Sequence, residues 1–86
     1  MPEICRFFGI VITMYFNDHE PPHFHARYGE HKAAIRIDNF AVTEGKLPPR
    51  ILGFVIEWAG LHQEELMREW EQARDSQPLF RIAPLE

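Results

Sequence analysis

The sequence has a single cysteine, Cys5, among its 86 residues. An intrachain disulfide is therefore impossible, and so is a metal site built from several thiolates of one chain. Scarce cysteine is typical of a reducing compartment, and we expect a cytoplasmic protein. Without disulfides the chain is too short for two independent cores, so we expect one domain over residues 1–86, whose burial a homodimer or another partner would increase.

The sequence also lacks a long apolar run. The longest, Phe7 to Phe16, is far shorter than the roughly 20 residues that a membrane-spanning helix needs. It has no basic leader before it, because Glu3 precedes it and Arg6 is the only basic side chain there. We therefore expect neither a signal peptide nor a membrane partner.

Positive charge is scarce as well. The 13 acidic and 9 basic side chains give a formal net charge of −4. This balance argues against the broad basic surface that most nucleic-acid-binding proteins use. The exception is one short segment, in which Arg27, Lys32 and Arg36 lie close to three histidines. We expect any bound anion to contact this segment.

Two hydrophobic periods divide the chain. Up to about Glu44, apolar residues alternate with polar ones or form short β-branched runs, as in strands. After Pro49 they recur every three or four positions, which is typical of amphipathic helices. The pattern predicts an α+β fold, with an antiparallel β-meander of three to four strands followed by one or two C-terminal helices. Phe7 to Phe16 is then a central strand, and Ala41 to Glu44 is a short fourth one.

A hairpin is predicted around Gly29 and Glu30, because both flanking segments alternate and these two residues suit a tight turn. In this register Tyr28 faces His31, and His23 faces Arg36. One face of the hairpin then carries Phe24, Ala26, Tyr28, Ala33 and Ile35. The opposite face carries His23, His25, Arg27, Lys32, Ala34 and Arg36. We therefore expect these histidines to point away from the core, into a cationic strip.

The block NDHEPPHFHA, residues 17–26, places three histidines around a double proline. Its first half predicts a turn that carries His19, while His23 and His25 project from one side of the next strand. Paired imidazoles that titrate near neutrality can act as general acid and general base on a phosphate, as metal-independent ribonucleases require. In this favoured hypothesis the three histidines are catalytic without a metal or cofactor. The substrate-binding residues are Arg27, Lys32, Arg36 and Tyr15.

Two alternatives remain open for the same residues. His19, His23 and His25 also fit a small metal-binding protein, since histidines at i and i+2 on a strand offer two nitrogen ligands on one side. Against this, the neighbouring cations repel a dication, and the pattern selects no carboxylate as a further ligand, although Asp18, Glu20 and Asp38 are near. The other alternative is a binding module without catalysis, whose histidine face docks a protein or regulates transcription.

Four segments carry a resemblance to a known family: NDHEPPHFHA, KAAIRID, EGKLPPR and WAGLHQEEL. With them, nearly the whole chain resembles a family of small prokaryotic proteins catalogued as domain of unknown function 4160. Its members look like one half of two-gene arrangements, which implies a small partner protein encoded nearby and a toxin–antitoxin module. The resulting prediction is a toxin-like protein that acts on RNA through its histidine face. The family has no established catalytic residues to carry over.

Overall fold

A five-stranded antiparallel sheet forms the first half of the chain. The computed structural model, which describes residues 2–86, places its strands β1 to β5 at Glu3–Phe7, Ile10–Thr13, His23–Tyr28, His31–Arg36 and Val42–Gly45. The strands lie in chain order, and each is paired with the next. The predicted α+β meander is confirmed, but it has five strands where three to four were expected.

The additional strand arises because Phe7 to Phe16 is not a single strand. Phe8 and Gly9 form a two-residue turn with φ angles of 51° and 79°, and Phe7 pairs with Ile10 across it. Positive φ at both central residues is the conformation of a type I′ hairpin turn, for which Asn-Gly is the usual sequence. A bulky phenylalanine occupies the first position here. The turn therefore lies within an apolar run that has the composition of a strand. The prediction of one central strand over Phe7 to Phe16 is wrong.

The hairpin of β3 and β4 has the predicted register. Gly29, with a φ of 59°, and Glu30 form its turn, and the pairs run from Tyr28–His31 to His23–Arg36. The predicted core face is buried as expected, with Phe24, Ala26, Ala33 and Ile35 in the hydrophobic core.

Two helices cover this core face of the sheet. Helix α1 extends over Pro49–Leu61 and α2 over Gln63–Arg74, with His62 between them. Proline suits the first turn of α1 because the missing N–H has no partner there in any helix. Trp58 packs against the rings of Phe7 and Phe24, so α1 lies directly on the sheet. None of the helices within residues 2–86 is long and apolar enough to cross a membrane.

Residues 77–86 return across this body. The Trp58 indole N–H donates a hydrogen bond to the carbonyl of Ala83 at 2.8 Å, and the Ile82 N–H donates to the carbonyl of Ile4 at 2.8 Å. Ile82 and Leu85 are buried. The helices and the tail thus occupy one side of the sheet, and the opposite face remains available for a site.

Candidate functional site

The turn between β2 and β3 brings a carboxylate against two strand histidines. Oδ2 of Asp18 lies 2.9 Å from Nε2 of His23 and 3.4 Å from Nε2 of His25. One potential ligand atom from each residue lies within 4.8 Å of those from the other two. We call these three residues the Asp–His–His cluster.

Hydrogen bonds made by the residues on either side of Asp18 hold the turn between β2 and β3 in place. The backbone N–H of Asn17 donates to the carbonyl of Ala73 at the end of α2, at 3.1 Å, and its side-chain amide donates to Oγ of Ser76 at 3.0 Å. Asn17 has a φ of 53°, a left-handed conformation that asparagine adopts more readily than most residues. The N–H of His19 donates to Oδ1 of Asp18 at 2.9 Å. The position of Asp18 is therefore set by α2 and by its own turn.

Asp18 carries negative charge in this environment. Its partial burial acts to raise the pKa of the carboxyl group, but the N–H of His19 and the neighbouring histidines outweigh burial and lower that pKa. Because Oδ1 is engaged by a backbone donor, Oδ2 is the oxygen presented to the two strand histidines.

His23 is buried, which corrects the prediction that it points into solvent. Only 4% of the residue is exposed, and its ring packs against Trp70 of α2 with 5.2 Å between the ring centroids. Nδ1 of His23 lies 2.7 Å from the carbonyl oxygen of Pro21. Strand alternation assigned the side of the sheet, but it could not reveal that the turn and α2 close over the end of β3.

His25 lies at the boundary between the cluster and solvent. Its side chain is 29% exposed, and its ring meets Tyr15 edge to face at 4.6 Å between centroids. Burial is the main cause that lowers the pKa of His25; Asp18 opposes this effect and His23 adds to it. His25 is thus the member of the cluster that an external molecule can reach.

His19 lies beside the cluster. Its side chain is 72% exposed, its ring stacks on His23 at 5.1 Å, and its Nε2 is 3.7 Å from Oδ1 of Asp18. The three histidines of the block are therefore neighbours, as predicted, but they differ in accessibility, from an exposed His19 to a buried His23.

The predicted cationic strip divides into two parts. Arg36 makes two hydrogen bonds to the carboxylate of Asp38, at 2.9 and 2.6 Å, so its charge is already paired. Arg27 and Lys32 lie directly opposite each other on β3 and β4, and neither has an ion pair within residues 2–86. Together with Tyr15 and His25 they line a pocket of about 170 Å³. The structure thus groups Arg27, Lys32 and Tyr15 near His25 and leaves Arg36 apart.

Comparison with known families bears on this region directly. A model of the family described as Domain of unknown function (DUF4160) matches residues 9–71. This range contains the Asp–His–His cluster, Arg27, Lys32 and most of α2. The chain belongs to the DUF4160 family. No curated protein and no solved structure matches it.

Asp18 is the residue that sequence reasoning did not select as part of the site. A local signal existed, since Asn-Asp before a double proline predicts a turn that folds back toward the following strand. The distance from Asp18 to the strand histidines depends on the path of the turn, however. The spacing of hydrophobic residues along the chain does not predict that path.

Cys5 is buried in the core and takes no part in the site. Burial raises the pKa of its thiol, which disfavours the reactive thiolate. The available chemistry in this DUF4160 protein therefore comes from imidazole nitrogens, one carboxylate and two unpaired cations.

Proposed function

We propose that this protein binds a divalent transition-metal ion, with zinc as the representative ion, through Asp18, His23 and His25. Two imidazoles and one carboxylate form the donor set of many mononuclear catalytic sites, which leave a further position open for water or substrate. His25 borders the pocket on the open face of the sheet. A metal ion bound here would act as a Lewis acid at the edge of that pocket.

The orientation of the His23 ring carries the proposal. A carbonyl oxygen only accepts hydrogen bonds, so Nδ1, at 2.7 Å from the Pro21 oxygen, bears a proton. In the neutral ring Nε2 then has a lone pair, and it faces a carboxylate oxygen of Asp18 at 2.9 Å. Two acceptors at this distance repel each other unless a proton or a metal ion lies between them. A bond from the other ring nitrogen to a backbone carbonyl is also how metal-binding histidines are commonly oriented.

The two distances from the Asp18 carboxylate suit a small ion, and all three ligand atoms lie within 4.8 Å of one another. Tetrahedral zinc has bonds of about 2.0–2.1 Å to nitrogen and oxygen, which places its ligand atoms about 3.3 Å apart. The two measured separations from Asp18 Oδ2, 2.9 and 3.4 Å, lie on either side of this value. Repulsion by the cationic strip is also weaker than the sequence suggested, because Asp38 neutralises Arg36.

Zinc titration of chelator-treated, untagged protein tests the proposal. We expect calorimetry to show one ion per chain, and thermal unfolding to show stabilisation of about 2.7 kcal/mol when free zinc exceeds the dissociation constant a hundredfold. His23→Gln and Asp18→Asn should each weaken binding by more than about a hundredfold, because each removes a direct ligand and the loss of an outer-shell partner alone costs about 10- to 100-fold. His31→Gln is the matched control, since His31 is an exposed histidine outside the cluster. Equal zinc affinity in His23→Gln and His31→Gln would falsify the proposal.

A metal-free role in RNA cleavage, as the toxin-like half of a two-gene module, is the second candidate. One observation favours it. Oδ2 of Asp18 lies 3.4 Å from Nε2 of His25, and His25 borders the pocket that Arg27 and Lys32 line. His25 is then the acid–base residue, because both ring nitrogens of His23 have partners.

Expression of the gene with and without its neighbour tests this second candidate. Growth arrest that persists in His23→Gln and disappears in His25→Ala supports it, whereas arrest that requires both histidines equally favours the metal. No arrest in the absence of the neighbouring gene counts against a toxin; the metal proposal, which has its own titration, and the non-catalytic docking module then remain.

A further inference from the structure

The pocket beside the cluster has a chemistry of its own. It opens on the face of the sheet away from the helices, and its lining includes Thr13, Tyr15, His25, Arg27 and Lys32. His25 belongs both to this lining and to the Asp–His–His cluster. A metal ion held by the cluster would therefore lie at the wall of the pocket.

The pocket has an excess of positive charge in a chain whose net charge is −4. Glu3 is the carboxylate in its lining, and it is bound by Arg6 at 2.8 Å and Arg81 at 2.9 Å. These bonds lower the pKa of Glu3 to about 2, so Glu3 is negatively charged and its charge is already paired with the two arginines. Arg27 and Lys32 have no ion pair within residues 2–86, and the next carboxylate, Glu44, lines a separate neighbouring pocket with His25 and Lys32.

The placement of these two cations has an energetic cost. Arg27 and Lys32 occupy directly opposed positions on β3 and β4. Like charges at opposed positions of an antiparallel pair destabilise the sheet, because their side chains extend side by side from the same face. An anion bound between them would remove this repulsion, which is a reason independent of the pocket's shape to expect a negatively charged ligand.

We propose that the pocket binds a phosphate ester, with its non-bridging oxygens on Arg27 and Lys32 and one oxygen directed to the metal position beside His25. This inference rests on the proposed metal function. A phosphate has enough oxygens to contact both cations and a metal together, and the planar guanidinium of Arg27 matches two of them. A carboxylate has only two oxygens, so one of them would have to serve two of the three positive groups, whereas a phosphate offers each group its own oxygen.

Binding measurements on zinc-loaded protein test the inference. Inorganic phosphate, uridine monophosphate and a short single-stranded oligouridylate serve as the three probes, in calorimetry at constant ionic strength. Arg27→Ala and Lys32→Ala should each weaken binding of the preferred probe about three- to tenfold. Arg68→Ala should not, because Arg68 is an exposed arginine of α2 that lies outside the pocket and also has no ion pair within the described chain.

Two further readouts separate this inference from the metal proposal. Zinc affinity should be no lower in Arg27→Ala than in the unsubstituted protein, and thermal stability without ligand should be equal or higher, since a like-charge contact is removed. If zinc binds but no probe does, or if Arg27→Ala and Arg68→Ala bind the probe equally, the pocket inference is overturned and the metal site stands. If zinc does not bind, the metal proposal has failed in its own titration.

Probe preference identifies the source of the phosphate. Tightest binding of the oligouridylate supports a nucleic-acid phosphodiester, and tightest binding of the monophosphate supports a small metabolite ester. Probe binding that is equally tight with and without zinc overturns the arrangement in which the phosphate reaches the metal.

Discussion

At the scale of single residues, two glutamates show how environment moves a carboxyl pKa in opposite directions. Glu3 accepts hydrogen bonds from Arg6 and Arg81, and its pKa falls to about 2. Glu69 is buried on α2, and burial raises its pKa even though the N–H of Phe80 donates to it at 2.6 Å. The ionised form is therefore stabilised at Glu3 and disfavoured at Glu69 by folding.

The two glutamates should give opposite pH dependences when they are replaced by glutamine. The folded pKa of Glu69 is raised, so its favourable contribution is present at low pH and is lost as pH rises through that pKa. Glu69→Gln should therefore become more stable relative to the unsubstituted protein as pH rises above 4.5, the ordinary pKa of a glutamate carboxyl group. Urea unfolding at a series of pH values measures the difference.

Glu3→Gln is the matched control, with the reverse sign. Because the folded pKa of Glu3 is lowered from 4.5 to about 2, its contribution is present above the unfolded value and is lost as pH falls toward 2. The stability deficit of Glu3→Gln should thus be largest near neutrality and absent near pH 2. If the stability of both variants relative to the unsubstituted protein changed with pH in the same direction, the environments assigned to Glu3 and Glu69 would be wrong.

At the scale of secondary-structure elements, the tight turns depend on positive φ angles. Phe8 and Gly9 close the first hairpin, and Gly29 opens the turn of the second. Gly45, at the end of β5, has a φ of 75°, and a Cβ there would overlap the carbonyl oxygen of Lys32. The last strand can approach β4 at this point only because residue 45 has no side chain.

Gly45→Ala should therefore destabilise the protein by about 2 kcal/mol or more, through backbone strain and the clash with Lys32. Gly53→Ala is the matched control: Gly53 lies in the interior of α1, and a Cβ there meets nothing within 4 Å. Alanine at that position should stabilise the helix by about 0.5–1 kcal/mol. Chemical denaturation gives both values, and a loss of similar size in the two variants would argue against the close approach of Gly45 to the Lys32 carbonyl.

At the scale of the whole molecule, residues 77–86 join elements that are distant in the chain. The tail bonds to β1 through Ile82 and Ile4, to α1 through Ala83 and Trp58, and to α2 through Phe80 and Glu69. The ten-residue tail thus fastens both helices and the first strand to one another. It lies outside the family match, which ends at residue 71.

Ile82→Ala should cost about 2–4 kcal/mol, since it removes a buried side chain from this junction. Phe80→Ala should change the unfolding free energy by less than about 0.5 kcal/mol, because 66% of Phe80 is exposed and its bond to Glu69 comes from the backbone. Thermal unfolding compares the two variants. Equal stability of both would show that the tail does not pack on the body in solution.

Local pattern was sufficient for the central hairpin and the helices. Alternation places Phe24 and Ile35 in the core, Gly29 sets the β3–β4 register, and Pro49 begins α1, because each depends on residues close in sequence. The same reasoning correctly grouped His25, Arg27 and Lys32 on one face of the sheet. It missed the first turn, where Phe8 adopts a conformation that glycine or asparagine normally occupies.

The tertiary structure alone decided the composition of the candidate site. His23 is buried because α2 and the turn close over it, and Asp18 reaches both histidines because Asn17 is bonded to the end of α2. Arg36 is a local exception, because Asp38, whose carboxylate pairs with it, lies only two residues further along the chain. The sequence by itself determined which side chains share a face, since that follows from the period of a strand. Which of them touch depends on contacts between segments that are far apart in the chain, and periodicity does not encode those contacts.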